Sequence, residues 1–198
     1  QRASALEGSR KMNRLAYIGF TISAILIFAA VFAPFIASYE AATKPVTAEK
    51  FHAPSAEPWL GTDDLGRDVY SRIVFGARIS LEVGISVTLV SSVIGMIIGA
   101  IAGFYGGWTD KFLSGYLFNV FLAFPGLLLS IAIVAFLGVG LGKLIFALCI
   151  IGWVGYARVM RGQVLKIREY DFVQAARALG ASNMRILFTH ILPNAVQP

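Results

Sequence analysis

Four stretches of the chain carry no charged residue: 15–39, 83–109, 112–142 and 144–157. Charged side chains stand at every boundary, among them Arg14, Glu40, Glu82, Asp110, Lys111, Lys143 and Arg158. A helix crosses a bilayer with about 20 mostly apolar residues, so the first three stretches are long enough as they stand. The fourth is shorter, but the stems of Lys143 and Arg158 can snorkel and extend it. The pattern predicts an all-α integral membrane protein, a polytopic helical bundle with four transmembrane helices. The first stretch follows a basic start, as a secretory signal would. It far exceeds the 7–15 residues of a signal core, and no A-x-A-like site closes it, so it is read as a retained span.

Composition agrees. Of 198 residues, 57% are hydrophobic and 14% charged, with a mean hydropathy of +0.73; a soluble domain carries about 25% charged residues. These values exclude an ordinary water-soluble fold and a disordered one. One cysteine, Cys149, rules out an internal disulfide framework, and two histidines, His52 and His190, leave little for a metal site. The net charge of +6 points to basic loops at a membrane surface and not to nucleic acid.

Lysine and arginine density sets the orientation. Residues 1–14 hold four such residues and residues 158–185 hold six, against five over the longer segment 40–78. The two dense segments are expected on the cytoplasmic side: residues 1–14 as an N-terminal segment, 15–39 as the first span, 40–78 outside, and 79–198 as a core with the other spans. No ionisable residue lies deep in a span, which argues against an ion-driven pump.

Gly95, Gly99 and Gly103 recur every fourth residue on one helix face, which suits close helix–helix contact in lipid. No GxxxxGK[ST] is present, so this chain is not itself an ATPase. Pro125 breaks the third stretch at Phe124-Pro125-Gly126; such a kink either lines a pathway or serves packing. Asn119, Phe121, Phe124 and Pro125 are the candidate pathway-lining residues.

Two polar-edged segments are patterned as helices. In the first, Thr62 is placed as an N-cap with Asp63 and Asp64 in the first turn, and Leu65, Val69 and Ile73 form an apolar stripe. An external amphipathic helix is expected there, after a linker marked by Pro45, Pro54 and Pro58. In the second, Phe172, Ala175, Ala176 and Leu179 share one helical face, Gly180 is placed to end that helix, and Ser182 to cap another. Met184, Leu187, Phe188 and Ile191 give the second helix an apolar face. Helix, bend, helix is the expectation; a hairpin of this kind could also lie on a lipid surface.

Gln174-Ala175-Ala176, three residues, Gly180, then Ile191-Leu192-Pro193 resembles the EAA loop of binding-protein-dependent ABC importer permeases, with Gln174 where that loop has glutamate and His190 where it has isoleucine. Gly61-Thr62-Asp63-Asp64-Leu65-Gly66-Arg67-Asp68 resembles the signature of the second-subunit branch, the dipeptide, oligopeptide and nickel permeases. The resemblance implies a permease of the bacterial inner membrane, with a coupling loop over about 166–192. There Gln174, Ala175, Ala176, Arg177 and Gly180 would dock on an ATPase subunit, and Gly61, Thr62, Asp63, Gly66, Arg67 and Asp68 would form the external signature. It implies as partners a homologous permease, two ATP-binding subunits that carry ATP and magnesium, and an external solute-binding protein. No cofactor, catalytic residue or metal site is expected on this chain. Such permeases carry two more spans after the loop, so the chain is expected to stop near the start of the fifth. An ATPase-independent channel or secondary transporter is the rival reading, and an enzyme using the external aspartates a third.

Overall fold

The computed structural model describes residues 14–196. The basic residues Arg2, Arg10 and Lys11 of the expected cytoplasmic segment, and the end of the chain where a fifth span would begin, lie outside them. The chain divides into two units, Gln1–Glu82 and Val83–Pro198. Its described residues are helical apart from turns and one isolated bridge between Thr62 and Asp68.

In the first unit, α1 (Arg14–Val31) is apolar from Leu15 onward. It stops well before Tyr39, where the uncharged stretch ends. The cause is Pro34, which has no N–H to continue the ladder, and a short α2 (Ala33–Ile36) follows with that proline in its first turn. Ser38 then caps α3 (Tyr39–Thr43) by accepting from the Ala41 N–H at 3.3 Å. The expected external helix over 62–73 is absent. Residues 61–68 form a tight turn, and the helix begins at Val69 as α4 (Val69–Tyr105), capped by Asp68 and not by Thr62. Asp68 accepts from the Ser71 N–H at 3.0 Å and the Ser71 hydroxyl at 2.5 Å. The apolar stripe Leu65, Val69, Ile73 has helical spacing, but Gly66 holds φ +74° and a carboxylate captures the backbone ahead of it. Local side-chain bonds of this kind compete with helix formation.

The second unit holds most of α4, then α5 (Gly107–Ala123), α6 (Gly126–Leu137), α7 (Leu141–Ile167), α8 (Asp171–Ala178) and α9 (residues 183–195). The chain turns sharply between α4 and α5 at Gly106 and Gly107, both with positive φ. A π-helical stretch, Lys111–Leu117, runs inside α5. α5 and α6 meet at 74°, because Phe124 and Pro125 are extended and Pro125 donates no backbone bond. Among the described residues, α4 and α7 are long and apolar enough to cross a membrane, and the bent pair α5–α6 makes a third if its two arms count as one span. α7 is far longer than the uncharged stretch 144–157 on which the fourth span was read: Lys143, Arg158, Arg161 and Lys166 all sit inside it.

Gly95, Gly99 and Gly103 are buried on the face of α4 that meets α7. A Cβ at Gly95 would fall 2.5 Å from the Trp153 carbonyl, one at Gly99 would strike the Ala157 carbonyl, and one at Gly103 would lie 2.9 Å from that of Arg161. Backbones this close gain the dispersion that water supplies no substitute for in lipid. Phe118 and Phe121 of α5 clasp Trp153 of α7 edge-on, with ring centroids 5.7 and 5.3 Å away. Phe118, Trp153, Val154 and Ala157 form that core.

Candidate functional site: a helix–bend–helix seated on two long helices

α8 and α9 are short, so they hold position only by what they bury. Val173 of α8 and Ile186, Leu187, Ile191 and Ala195 of α9 enter one cluster with Ala100 and Phe104 of α4 and Met160, Val164 and Ile167 of α7. The inward face of α8 is therefore Val173 with Ala176; of the four residues expected to share a face, Ala176 alone turns partly inward. Phe172, Ala175 and Leu179 point to solvent, Leu179 at 89% exposure. In α9, Met184 and Phe188 are exposed while Ile186 joins Leu187 and Ile191 in the core. Residues 186–191 are π-helical, which brings positions five apart onto one face and explains why a 3.6-residue period misassigned them. Gly180 has φ +80°, a region that a side chain adopts only with strain. The Ser182 hydroxyl accepts from the Arg185 N–H at 3.4 Å to start the next helix.

Polar contacts tie this element down. Gln174 donates through its amide to the Arg168 carbonyl at 3.0 Å, satisfying an orphan acceptor at the end of α7. An ionised glutamate has no proton to give there, so glutamine at this position has a local structural reason. Arg168 donates to the Gly103 carbonyl at 2.9 Å and to Glu169 at 2.9 Å. Seven residues back on α7, Arg161 grips Asp110 of α5 with two bonds of 2.5 and 2.6 Å. Arg177 is exposed.

The residues of the 61–68 signature come together in the first unit as a locked turn. Asp63 accepts from the Leu65 and Arg67 N–H groups at 2.9 Å each and from the Arg67 guanidinium at 2.8 Å, and Arg72 closes on the same carboxylate. Partial desolvation opposes its charge. The Arg67 backbone and side-chain bonds and the Leu65 N–H outweigh that and hold Asp63 well below the usual carboxylate range. The Thr62 hydroxyl accepts from the His52 N–H at 2.8 Å and donates to the Glu49 carbonyl. Gly61 and Gly66 have positive φ, and a Cβ on either would strike backbone. Among the described residues, no group of three or more potential ligands is placed to hold a metal ion.

Residues 95–198 match the model of a family described as the binding-protein-dependent transport system inner membrane component. The match spans more than half of the chain. This chain belongs to that family. Residues 11–54 match a second model, the N-terminal TM domain of oligopeptide transport permease C. The chain is 44% identical over 189 residues to the dipeptide transport system permease protein DppC of Alkalihalophilus pseudofirmus, covering 95% of this chain and 61% of that protein. It is 41% identical over 187 residues to the oligopeptide transport system permease protein OppC of Bacillus subtilis, covering 94% and 60%. It is 44% identical over 172 residues to the glutathione transport system permease protein GsiD of Escherichia coli, covering 87% and 56%. The chain thus spans roughly 60% of the length of these relatives.

In this inner-membrane component, the residues singled out from sequence fall into three separate places. Gln174, Ala175, Ala176, Arg177 and Gly180 lie on the helix–bend–helix, and the 61–68 set makes the locked turn. Asn119, Phe124 and Pro125 lie on the bent pair α5–α6 and the bend within it, all exposed, with the Asn119 amide spent on the Gly115 carbonyl at 2.7 Å. Asp110, Arg161 and Arg168 were missed as a set. In the sequence their arginines register only as cytoplasmic charge, although a spacing of seven residues puts Arg161 and the capping Arg168 on one side of α7.

Proposed function

We propose that the chain is the membrane-spanning part of a permease subunit of an ATP-driven ABC importer, and that it moves peptides or a related small solute such as nickel inward across the bacterial inner membrane. In this reading it crosses four times, with α1, α4, the bent pair α5–α6 and α7 as the spans. Its N-terminus is cytoplasmic and residues 40–78 are external. It works beside a homologous permease, two ATP-binding subunits that hold ATP and magnesium, and an external solute-binding protein.

One observation carries the reading: the helix–bend–helix is firmly seated on its inner face yet presents Phe172, Ala175, Leu179, Met184 and Phe188 outward. Large apolar side chains left exposed on an element that is otherwise firmly seated mark an interaction site. The small Ala175 lets a partner approach the backbone. A rigid element transmits displacement that a floppy loop would absorb. Reversing a two-state gate from 1:99 to 99:1 takes about 5.5 kcal/mol of differential binding, which ATP binding and hydrolysis on the partner would deliver here.

The test is Leu179→Asp in the full-length permease, co-expressed with its ATP-binding chains. Leu179 buries nothing in this chain, so the permease should accumulate and insert as the wild type does. Its co-purification with the ATP-binding chains should fall at least tenfold, which is about 1.4 kcal/mol. Undiminished co-purification would remove the docking role from this surface.

A further inference from the structure

We propose that Asp110, through its forked ion pair with Arg161, is the positioning residue that makes the bent span α5–α6 follow the helix–bend–helix. The inference rests on the docking reading above and adds the link from the docked element to the span that bends. Three contacts converge on the last two turns of α7. Gln174 of α8 holds the Arg168 carbonyl at 3.0 Å, Arg168 holds the last turn of α4 through the Gly103 carbonyl at 2.9 Å, and Arg161 holds Asp110 at 2.5 and 2.6 Å. Asp110 belongs to the opening turn of α5, so the pair grips the end of that helix farthest from the 74° bend. The pair is only partly exposed, 31% for Arg161 and 20% for Asp110, and two parallel bonds fix the direction as well as the distance between the helices. Among the described residues, no other side-chain hydrogen bond joins the start of α5 to α7. Farther along, Phe118 and Phe121 meet Trp153, an apolar contact with no directional bond. A shift of α8 carried into the end of α7 reaches α5 through the fork.

The experiment uses the full-length permease in nanodiscs with its ATP-binding chains. Spin labels go on cysteines placed at Phe136 and, as a reference on α4, Ile85, both exposed and outside the docking face. The distance between them is read without nucleotide and with ATP, magnesium and vanadate. In the otherwise wild-type chain the nucleotide should shift this distance. Asp110→Asn should keep the resting distance and reduce the shift at least twofold. Arg161→Lys keeps the charge but loses the fork; it should do the same, and it decides the matter if Asp110→Asn fails to assemble. A full shift in these variants overturns the inference and leaves the docking reading standing. So does a wild-type complex that forms without any shift. A resting distance altered as much as the driven one overturns it in favour of a plain structural staple. If the ATP-binding chains do not bind the wild type at all, the docking reading itself falls, and the inference with it.

Discussion

Among the described residues of the first unit, Asp63 gathers the most side-chain hydrogen bonds. Its carboxylate gathers two backbone N–H groups and two guanidinium groups, and together these hold it ionised far into acid. The linkage has a definite sign. A depressed folded-state pKa adds stability at pH values above the unfolded carboxylate pKa, about 3.9. That contribution is lost as pH falls through the still lower folded value. The turn over 61–68 should therefore hold unchanged at neutral pH and down to about pH 4, loosening only in stronger acid. Hydrogen exchange at the Leu65 and Arg67 amides would report it, and Asp63→Asn should show the loosened pattern already at pH 7. A pH-independent exchange pattern in Asp63→Asn that matched the wild type would contradict this. The residue's importance was visible in the sequence, but its job was not. Thr62-Asp63-Asp64 looks like a helix start, and only the positive φ of Gly66 and the Asp63 side-chain bonds reveal that the backbone has another use for that carboxylate. Gly180 and Ser182 were easier to read, because end and start signals in adjacent positions leave one local solution.

Among the elements, the crossing of α4 and α7 makes the most demanding prediction. Gly99→Val should push the helices apart, because its Cβ would occupy the space of the Ala157 backbone, which cannot move aside as a flexible side chain would. Overpacking of this kind costs about 1–3 kcal/mol, sometimes more. Gly84→Ala on the same helix meets nothing within 4 Å and should be neutral or slightly stabilising from helix propensity alone. Thermal unfolding of the detergent-solubilised full-length protein, followed by far-UV circular dichroism, separates the two; equal midpoints would show that the close approach is not under load. The four-residue glycine period made this interface legible. The ends of the elements were not, since charges bound the uncharged stretches but do not stop helices. α7 runs through four basic residues, and α1 ends at a proline inside its apolar run. The face of α9 was hard to sort for a related reason: apolar side chains occur on both sides of that helix, and its π-helical stretch changes the period that would have sorted them.

For the molecule as a whole, the decisive question is which side of the bilayer each segment faces. Side chains such as Leu15, Phe20, Leu127 and Phe136 are all more than two-thirds exposed; on a water-soluble surface they would drive aggregation, whereas lipid accepts them without cost. A helical protein in lipid takes its orientation from loop charge. Arg158, Arg161, Lys166, Arg168, Arg177 and Arg185 crowd a short segment, while the basic residues of 40–78 are diluted by six acidic ones. The rule therefore predicts, in line with the function proposed above, Leu179 in the cytoplasm and Trp59 outside. Both are well exposed, at 89% and 64%, so cysteines there can react, while native Cys149 is buried and stays silent. In intact cells expressing the full-length permease, a membrane-impermeant maleimide should label Trp59→Cys and spare Leu179→Cys. Inside-out vesicles should reverse the result. Labelling at position 179 from the outside would put the helix–bend–helix beyond the reach of any cytoplasmic ATPase, and both the docking surface and the Asp110–Arg161 link would lose their purpose together.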